Sequence, residues 1–488
     1  MGKPRFLQLP GQPRYQPKSL AEIFGHDNSY VPVCDVELAT LDVLGEIGVI
    51  PPGDIALLTQ EVRVAIRDIC ASDIDLLEKK GWPAHDDKPE RKPTKHDIRA
   101  LVIAIQEIIP EPLRRWVHVP LTSYDPLDTG RILQYGQAYE VIHPKCVEII
   151  RVLSKLVRKY AKTLQIGRTH KQHALPITVG FWFGTILSRI IYNSKQIDEF
   201  VKGLVGKISG AVGAGNAVYG LGIAEKCGNN PFQNRVLDKL GLKPAPISTQ
   251  ILPPEPLAYF LHSCIMLSAA LGQFGRDCRN LMATEVAEIG EPFEEGQVGS
   301  STMAQKRNPI NFENIEGMWF RNMAEYLKVH LALISEHQRD LVGSPLARDF
   351  PIMLVNLVIQ LETLLRKNDA GETFLARLTV NEANCRRNFK MSANVVLGEP
   401  VYIALQMAGY QKDAHALVNH RAVAISQQRK ILLIDAIRNI AKTDSDVAKA
   451  LGNIPEEVIQ LLEHPERYTG NAADQAMAIV AMAEDYLP

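Results

Sequence analysis

Residues 257–274 read LAYFLHSCIMLSAALGQF, and their apolar side chains recur every three or four positions. This spacing places the apolar side chains on one face of an α-helix. The segment belongs to a long proline-free stretch, and the chain contains three others. The four stretches cover residues 145–175, 177–230, 257–291 and 310–344. A helix of about 30 residues is roughly 45 Å long, more than a compact domain usually needs, so the sequence predicts an elongated bundle of long helices.

Strand-type alternation of apolar and polar residues is nearly absent, which predicts an all-α fold. At roughly 150 residues per domain, a chain of 488 residues corresponds to about three domains. Proline placement indicates where they divide. We expect an N-terminal helical domain at 1–125, an elongated central long-helix bundle at 126–375, and a C-terminal domain of shorter amphipathic helices at 376–488.

The charge balance argues against a nucleic-acid partner. The chain has 54 Lys and Arg against 55 Asp and Glu, so no global basic field attracts a phosphate backbone. Seven scattered cysteines without a Cys-x-x-Cys pair fit buried thiols in a reducing compartment. No apolar run approaches the roughly 20 residues that cross a bilayer, and the N-terminal residues lack an apolar signal region. We therefore expect a cytoplasmic protein without a membrane partner.

A glycine-rich segment at 206–222, GKISGAVGAGNAVYGLG, interrupts the helical pattern. It does not match a phosphate-binding P-loop, because Ile208 follows Lys207 where that loop needs Ser or Thr, and no strand is predicted before it. The segment instead favours a loop or helix interruption where two backbones pass closely.

The segment at 291–310, EPFEEGQVGSSTMAQKRNPI, lies between two predicted long helices and has little apolar content. One interpretation is a linker that ends in a Ser cap ahead of a helix starting near Asn311. The other is a mobile loop in which a hydroxyl, a cation and backbone N–H groups converge on a substrate anion at a helix N-terminus. Composition alone leaves both open.

Three segments resemble signatures of the fumarase/aspartase superfamily. GSSTMAQKRNP at 299–309 is similar to GSSxMPxKxNP, GRTHKQHALP at 167–176 to GRTHxQxAxP, and LTSYDPLDT at 121–129 to LTSxDxxDT. The resemblance implies a fold built on a central helical bundle and cleavage of a C–N or C–O bond by β-elimination, with release of fumarate in most cases. Ala304 departs from the signature, which usually has Pro there, so the loop lacks one φ restraint.

Residues outside these signatures resemble the adenylosuccinate lyase family within the superfamily. The matching groups are Arg14-Tyr15, Lys95-His96-Asp97, Thr249-Gln250, and the set Arg339, Ser344 and Arg348. In that family the Arg-Tyr pair and the Arg/Ser/Arg set hold a nucleotide phosphate. Two guanidiniums and a hydroxyl suit a phosphate dianion. Taken alone, the last set is also compatible with a solvated charge cluster at a helix end.

The family resemblance implies cleavage of adenylosuccinate to AMP and fumarate, and of a succinyl-carboxamide ribonucleotide of the purine pathway. It assigns Ser300 as general base, with Ser301 as the alternative, and His170 as the general acid that protonates the leaving nitrogen. An imidazole suits that task because its pKa lies near neutrality. His96 would contact the phosphate or assist His170.

Further substrate-binding residues follow from the same resemblance. Thr122, Ser123 and Gln250 would bind the succinyl carboxylates and orient the leaving amine. Lys306 and Asn308 would stabilise the negative charge that develops in the transition state, and Arg307 and Asn314 would complete the loop contacts. The resemblance also implies a homotetramer with active sites shared between subunits. We expect no cofactor and no metal, because His170 and His173 lack a further ligand at suitable spacing.

Two rivals remain open at this point. One is another lyase or cycloisomerase of the superfamily, such as argininosuccinate lyase or carboxymuconate cycloisomerase, whose substrates carry no nucleotide phosphate. The other is a catalytically silent structural homologue. The presence of Ser300, His170 and Lys306 argues against a silent protein.

Overall fold

A computed structural model describes residues 5–84, 90–293, 303 and 305–488. The chain divides into two compact units, each built from three separate segments. Unit 1 comprises Met1–Cys146, Tyr192–Ala269 and Gly317–Glu362, and unit 2 comprises Val147–Ile191, Ala270–Glu316 and Thr363–Pro488. The division at residues 125 and 375 that the sequence suggests stays a prediction.

The described residues are mostly helical, which confirms the all-α prediction. Helices of more than 20 residues run over Tyr124–Lys159, Val179–Val201, Glu255–Leu281 and Ile310–Leu331. The first continues through Pro144, which stands inside it. The predicted apolar face at 257–274 lies in the third, where Phe260, Leu267 and Phe274 are fully buried.

Shorter helices build the rest of unit 1 around an apolar core. They are Ala21–Phe24, Val31–Glu46, Pro52–Ile55, Gln60–Arg67, Ala71–Lys79, Asp97–Ile108, Glu111–Arg114, Asn216–Gly220, Phe232–Lys239 and Gly343–Asp349, with most of Pro351–Leu365. The core contains Leu41 and Leu44 of the helix Val31–Glu46 together with Leu101 and Val236. These side chains are almost completely buried.

Unit 2 contains a second, smaller core formed by C-terminal helices. Its helices beyond residue 376 are Glu382–Lys390, Gly398–Met407, Ala414–Ala416, Val423–Arg429, Leu433–Ala441, Ser445–Gly452, Glu456–Glu463 and Ala472–Tyr486, with a π-helix at Leu417–Ala422. Leu405, Val418, Ile437 and Val447 are fully buried together in this core. The apolar faces of these short helices thus stabilise one another.

Strands occur in three two-stranded sheets among the described residues. An antiparallel hairpin joins Leu164–Thr169 to Gln172–Thr178, Val205–Gly206 pairs in parallel with Lys243–Pro244, and Ile289–Gly290 pairs with Thr379–Val380. The hairpin corrects the expectation of a helix through 145–175, because the helix ends at Lys159. Gly167 forms a bulge in the first strand, where a Cβ atom would lie 2.7 Å from the Leu175 carbonyl oxygen.

Among the described residues, the helix Glu255–Leu281 is long and apolar enough by composition to cross a membrane, which the count of uninterrupted apolar residues did not reveal. In its most apolar window, 61% of the residues are buried inside the protein. Such burial is typical of a helix in the core of a bundle.

Candidate active site

In unit 1, Arg339 lies at the centre of a group of predicted substrate-binding residues. Its guanidinium stacks over the Tyr124 ring, 3.4 Å from the ring centroid, and its Nη1 donates a 2.9 Å hydrogen bond to Gln250 Oε1. Arg339 and Ser344 line the same cavity. The cavity therefore offers a half-buried cation and a hydroxyl beside an apolar wall.

Arg348 lines a neighbouring cavity rather than the one that contains Arg339. Its guanidinium lies 3.8 Å from a carboxylate oxygen of Asp97, which also accepts a 3.4 Å hydrogen bond from the Tyr30 hydroxyl. Burial and the nearby Asp97 carboxylate raise the pKa of Tyr30, so its hydroxyl stays protonated as a donor. Ala347 borders both cavities. The predicted Arg/Ser/Arg set is thus divided between two neighbouring cavities, with Arg339 and Ser344 in one and Arg348 in the other.

The predicted residues near the N-terminus and at 95–96 are exposed or only half-buried. Arg14 is exposed, and the ring of Tyr15 lies under Arg321, 5.2 Å from its guanidinium carbon. His96 is the N-cap of the helix Asp97–Ile108, because its Nδ1 accepts a hydrogen bond from the Arg99 backbone N–H. Lys95 is exposed and has a positive φ of 55°. No hydrogen bond or ion pair joins these side chains to Arg339 in the described part of the chain.

Thr122 and Ser123 are half-buried and directly precede the helix Tyr124–Lys159. The Thr122 backbone N–H donates a 2.8 Å hydrogen bond to the carboxylate of Asp125. Asp128, one turn further along, lines the same cavity as Arg339. Burial raises the pKa of Asp128, although the nearby Arg131 guanidinium opposes this.

Sequence reasoning left His118 as a structural residue, but the structure gives it a charged partner. Its Nδ1 lies 2.6 Å from Glu37 Oε1, and its backbone N–H donates to Glu37 Oε2. Burial disfavours the charged imidazole, yet the Glu37 carboxylate outweighs it and raises the pKa of His118. Two features of the sequence could have indicated this pair. Glu37 lies inside the apolar helix Val31–Glu46, and His118 lies four residues before Thr122.

In unit 2, His170 lies at the tip of the hairpin rather than in a helix. It and Lys171 form the two-residue turn, with φ values of 52° and 63°. Two consecutive positive φ values define a tight hairpin turn that normally selects Asn and Gly. Side chains with a Cβ atom are strained there, and such strain is commonly retained at functional sites. His170 is exposed at this tip.

A buried ion pair fixes the strand that leads to His170. The Arg168 guanidinium donates to both oxygens of Glu288, at 2.6 and 3.1 Å, and Glu288 is fully buried. The same carboxylate accepts hydrogen bonds from Gln165 and Asn388. A bidentate pair of this kind restrains orientation as well as distance. The hairpin is therefore anchored two residues from its predicted acid.

His173 follows the turn and is held differently. Its Nδ1 lies 2.8 Å from Ser392 Oγ. Partial burial, assisted by the positive charge of Arg168, lowers the pKa of His173. Among the described residues, no group of three or more His, Cys, Asp or Glu side chains is placed to bind a metal ion.

The signature segment is described only in part. Ser300, Ser301 and Ala304 lie outside the described residues, so the roles assigned to them stay predictions. Lys306 is exposed, and the Arg307 guanidinium stacks over the Phe293 ring at 4.6 Å.

The helix after the signature begins at Ile310, and a carboxylate accepts hydrogen bonds from two N–H groups of its first turn. Glu291 accepts hydrogen bonds from the backbone N–H of Asn311 and of Phe312. Burial raises the pKa of Glu291 although these donors oppose the shift. Asn308 is half-buried just before this helix, and Asn314 Oδ1 is buried without a hydrogen-bond partner among the described residues.

The predicted site residues thus fall into two sets. Unit 1 contains Arg14, Tyr15, Lys95, His96, Asp97, Thr122, Ser123, Gln250, Arg339, Ser344 and Arg348. Of the described residues, unit 2 contains His170, Lys306, Arg307, Asn308 and Asn314. Direct contacts join Arg339 to Gln250 and Arg348 to Asp97.

Comparison with known proteins supplies the family. The model of a family described as lyase matches residues 75–323. The chain belongs to this lyase family, which is part of the fumarase/aspartase superfamily.

Two similar curated proteins are named adenylosuccinate lyase. The one from Pyrococcus horikoshii is 30% identical over 482 residues, and the one from Pyrococcus abyssi is 28% identical over 480 residues. Each alignment covers 97% of this chain and 97% of the relative.

Solved structures share the fold. A 3-carboxy-cis,cis-muconate lactonizing enzyme from Pseudomonas putida has a TM-score of 0.77 and 23% identity, covering 97% of this chain and 98% of that one. A fumarate lyase from Mesorhizobium sp. BNC1 has a TM-score of 0.75 and 21% identity, covering 96% and 98%. At such identities the likeness concerns the fold alone.

Proposed function

We propose that this lyase eliminates fumarate from adenylosuccinate to give AMP, and from succinyl-aminoimidazole-carboxamide ribonucleotide in purine biosynthesis. The observation that carries the proposal is the environment of Arg339. A guanidinium held by Tyr124 and Gln250 lines a cavity together with the Ser344 hydroxyl. A charge-assisted donor of this kind suits a phosphate group. The two curated relatives named adenylosuccinate lyase support the same choice.

The cavity also has the apolar surface that a purine base needs. Leu257, Ile251 and Ile132 line it beside Arg339. Argininosuccinate and carboxymuconate carry neither a phosphate nor a purine. These features favour a nucleotide over the substrates of the rival superfamily enzymes.

In the proposed reaction a base removes a proton from the carbon next to a carboxylate, and the amine leaves from the neighbouring carbon. Ser300, or else Ser301, is the proposed base, and His170 protonates the leaving nitrogen. A serine hydroxyl is a weak base, so it needs a closed site in which water is excluded and positive potential surrounds the oxygen. Lys306 and Asn308 are the proposed stabilisers of the carboxylate on which negative charge accumulates.

The geometry around His170 supports its proposed role as the acid. The Arg168–Glu288 pair restrains the strand before it, and the strained turn presents the imidazole at the tip of the hairpin. Such preorganisation lowers the cost of aligning an acid with its leaving group. His173 on the returning strand is engaged with Ser392, which leaves His170 as the exposed histidine of this segment.

A homotetramer with shared active sites is the proposed assembly. An apolar stripe on the helix Ile310–Leu331 supports it. The stripe consists of Phe320, Met323, Leu327 and Leu331, which are 45–61% exposed and spaced three or four residues apart. Apolar surface of this kind on a folded protein is typical of an interface with another chain. A second copy is the proposed partner, because the superfamily resemblance implies that several subunits pack their long helices together.

The seven cysteines are all buried and unpaired. This state supports a proposed location in a reducing compartment such as the cytoplasm.

The decisive experiment is incubation of the purified protein with adenylosuccinate and detection of AMP and fumarate. Argininosuccinate and 3-carboxymuconate serve as rival substrates. We expect turnover of adenylosuccinate only, and loss of turnover in Ser300→Ala and in His170→Ala. His420→Asn, which changes an exposed histidine without a motif, is the matched control and should stay active.

Protein that leaves adenylosuccinate intact would contradict the proposal. Activity that survives Ser300→Ala but not Ser301→Ala would identify Ser301 as the base.

A further inference from the structure

Two buried polar residues in the first turns of the helix Tyr124–Lys159 have no part in the chemistry proposed above. Asp125 and Thr129 are fully buried and lie four residues apart, on one face of the helix. Both face the start of the glycine-rich segment, residues 207–215, for which sequence analysis found no function. Their contacts explain why this segment holds its position.

Asp125 joins two separate segments through one carboxylate. Its Oδ1 accepts hydrogen bonds from Lys207 Nζ at 2.6 Å, from the Ser209 backbone N–H at 2.9 Å and from the Gly210 backbone N–H at 3.2 Å. Its Oδ2 accepts the Thr122 backbone N–H at 2.8 Å. The Lys207 ammonium is itself fully buried. The carboxylate therefore sets the distance between Thr122 and the glycine-rich segment.

Thr129 holds the backbone of Lys207. The Thr129 hydroxyl accepts the Lys207 N–H at 3.0 Å and donates to the Lys207 carbonyl oxygen at 2.8 Å. Lys207 is thus hydrogen-bonded through its backbone to Thr129 and through its ammonium group to Asp125. Two hydrogen bonds to one residue restrict its rotation as well as its position.

The glycine-rich segment in turn holds the segment that leads to Gln250. Gly213 has a φ of +79°, and a Cβ atom there would lie 2.0 Å from the Ser248 carbonyl oxygen. Only glycine permits this approach of the two backbones. The hydroxyls of Ser209 and Ser248 add a 2.7 Å hydrogen bond between the same two segments.

A closed ring of contacts results. Gln250 accepts the hydrogen bond from Arg339, and Arg339 stacks on Tyr124, the residue before Asp125. Asp128 adds a further connection, because its carboxylate accepts the Leu252 backbone N–H at 3.0 Å. The segments at 122–129, 207–215 and 248–252 are therefore fixed relative to one another and to Arg339.

We infer that Asp125 and Thr129, acting through Lys207, are positioning residues that set the spacing between Thr122–Ser123 and Gln250. The inference rests on the proposed function for the identity of the ligand that these residues bind. Displacement of a binding group by about 1 Å is enough to cost roughly a hundredfold in rate, so a rigid connection between the segments has catalytic value.

A matched pair of substitutions tests the role of the Thr129 hydroxyl. Thr129→Val keeps the side-chain volume and removes both hydrogen bonds to Lys207. Thr129→Ser keeps the hydroxyl and removes only the methyl group, which packs beside Gly206. A residue that merely fills space should tolerate Val better than Ser, whereas a positioning residue should tolerate Ser better. Leu41→Ala, which creates a cavity in the unit 1 core, is the control that lowers stability without removing a hydrogen bond to Lys207.

Two readouts keep the inference separate from the proposed function. Amide hydrogen exchange at 207–215 and 248–252 requires no substrate, and we expect Thr129→Val to accelerate it at least tenfold in both segments. With adenylosuccinate, we expect kcat/KM to fall about 10- to 100-fold in Thr129→Val and to stay near the wild-type value in Thr129→Ser. Leu41→Ala should lower the melting temperature without changing KM.

Exchange in Thr129→Val that matches the wild type, or a Thr129→Ser variant that is impaired at least as much as Thr129→Val, would overturn the inference. If the wild-type protein does not cleave adenylosuccinate, the proposed function fails. The exchange comparison then still decides whether the hydroxyl positions the segments.

Discussion

Removal of the Glu288 side chain should destabilise unit 2 strongly. Its carboxylate is fully buried and accepts two hydrogen bonds from Arg168 and one each from Gln165 and Asn388. Glu288→Ala would leave the largely buried guanidinium of Arg168 without its partner. Breaking a buried pair in this way typically costs about 3–5 kcal/mol of unfolding free energy. Glu288→Gln keeps the shape but loses the charge, and should cost about 1.5–3 kcal/mol.

The assay is urea unfolding at matched protein concentration, followed by comparison of midpoints and slopes. Glu484→Ala is the control, because Glu484 pairs with Arg158 in the same unit but both side chains are more than half exposed, at 59% and 55%. An exposed pair of this kind contributes about 0–1 kcal/mol. We also expect kcat to fall in Glu288→Gln, since the pair restrains the strand that carries His170. A loss of stability in Glu288→Ala no larger than in Glu484→Ala would refute the reasoning.

Three further predictions concern unit 1. Arg339→Ala should raise the KM for adenylosuccinate about 10- to 100-fold, the equivalent of one charge-assisted hydrogen bond, and an unchanged KM in steady-state kinetics would count against a phosphate site. The raised pKa of His118 means that its pair with Glu37 stabilises the fold fully below about pH 6.5 and less as the pH rises through that pKa. The difference in melting temperature between wild type and Glu37→Gln should therefore shrink towards alkaline pH. A difference that increases with pH would contradict a stabilising ion pair between His118 and Glu37. Leu327→Asp places a charge on the apolar stripe and should shift sedimentation towards smaller species with an unchanged circular dichroism spectrum, whereas an unaltered assembly would exclude the stripe from the interface.

Much of the helical architecture could be predicted from local pattern. The apolar spacing at 257–274 gave a helix that the structure places at Glu255–Leu281. The three signature segments led to the superfamily that the comparisons show. Both inferences depend on residues close together in the chain, where periodicity and residue order carry the information.

The hairpin around His170 could not be predicted in the same way. Its turn has His and Lys at positions that need a positive φ, so the usual Asn-Gly signal is absent. The interpretation of residues 145–175 as one helix was wrong for this reason. The carboxylate of Glu291, which accepts hydrogen bonds from the first N–H groups of the helix Ile310–Leu331, could not be predicted either, because it lies nearly twenty residues before that helix in sequence.

Sequence by itself determined the helical class, the lyase family and the residue types available for chemistry, because each is written in short stretches of chain. Tertiary structure alone decided which of those residues meet. Asp125 and Lys207 are 82 positions apart, and the sequence around neither residue predicts that the two pair. A buried charge is stable only beside an opposite charge and hydrogen-bond donors, and the folded backbone determines where those partners lie.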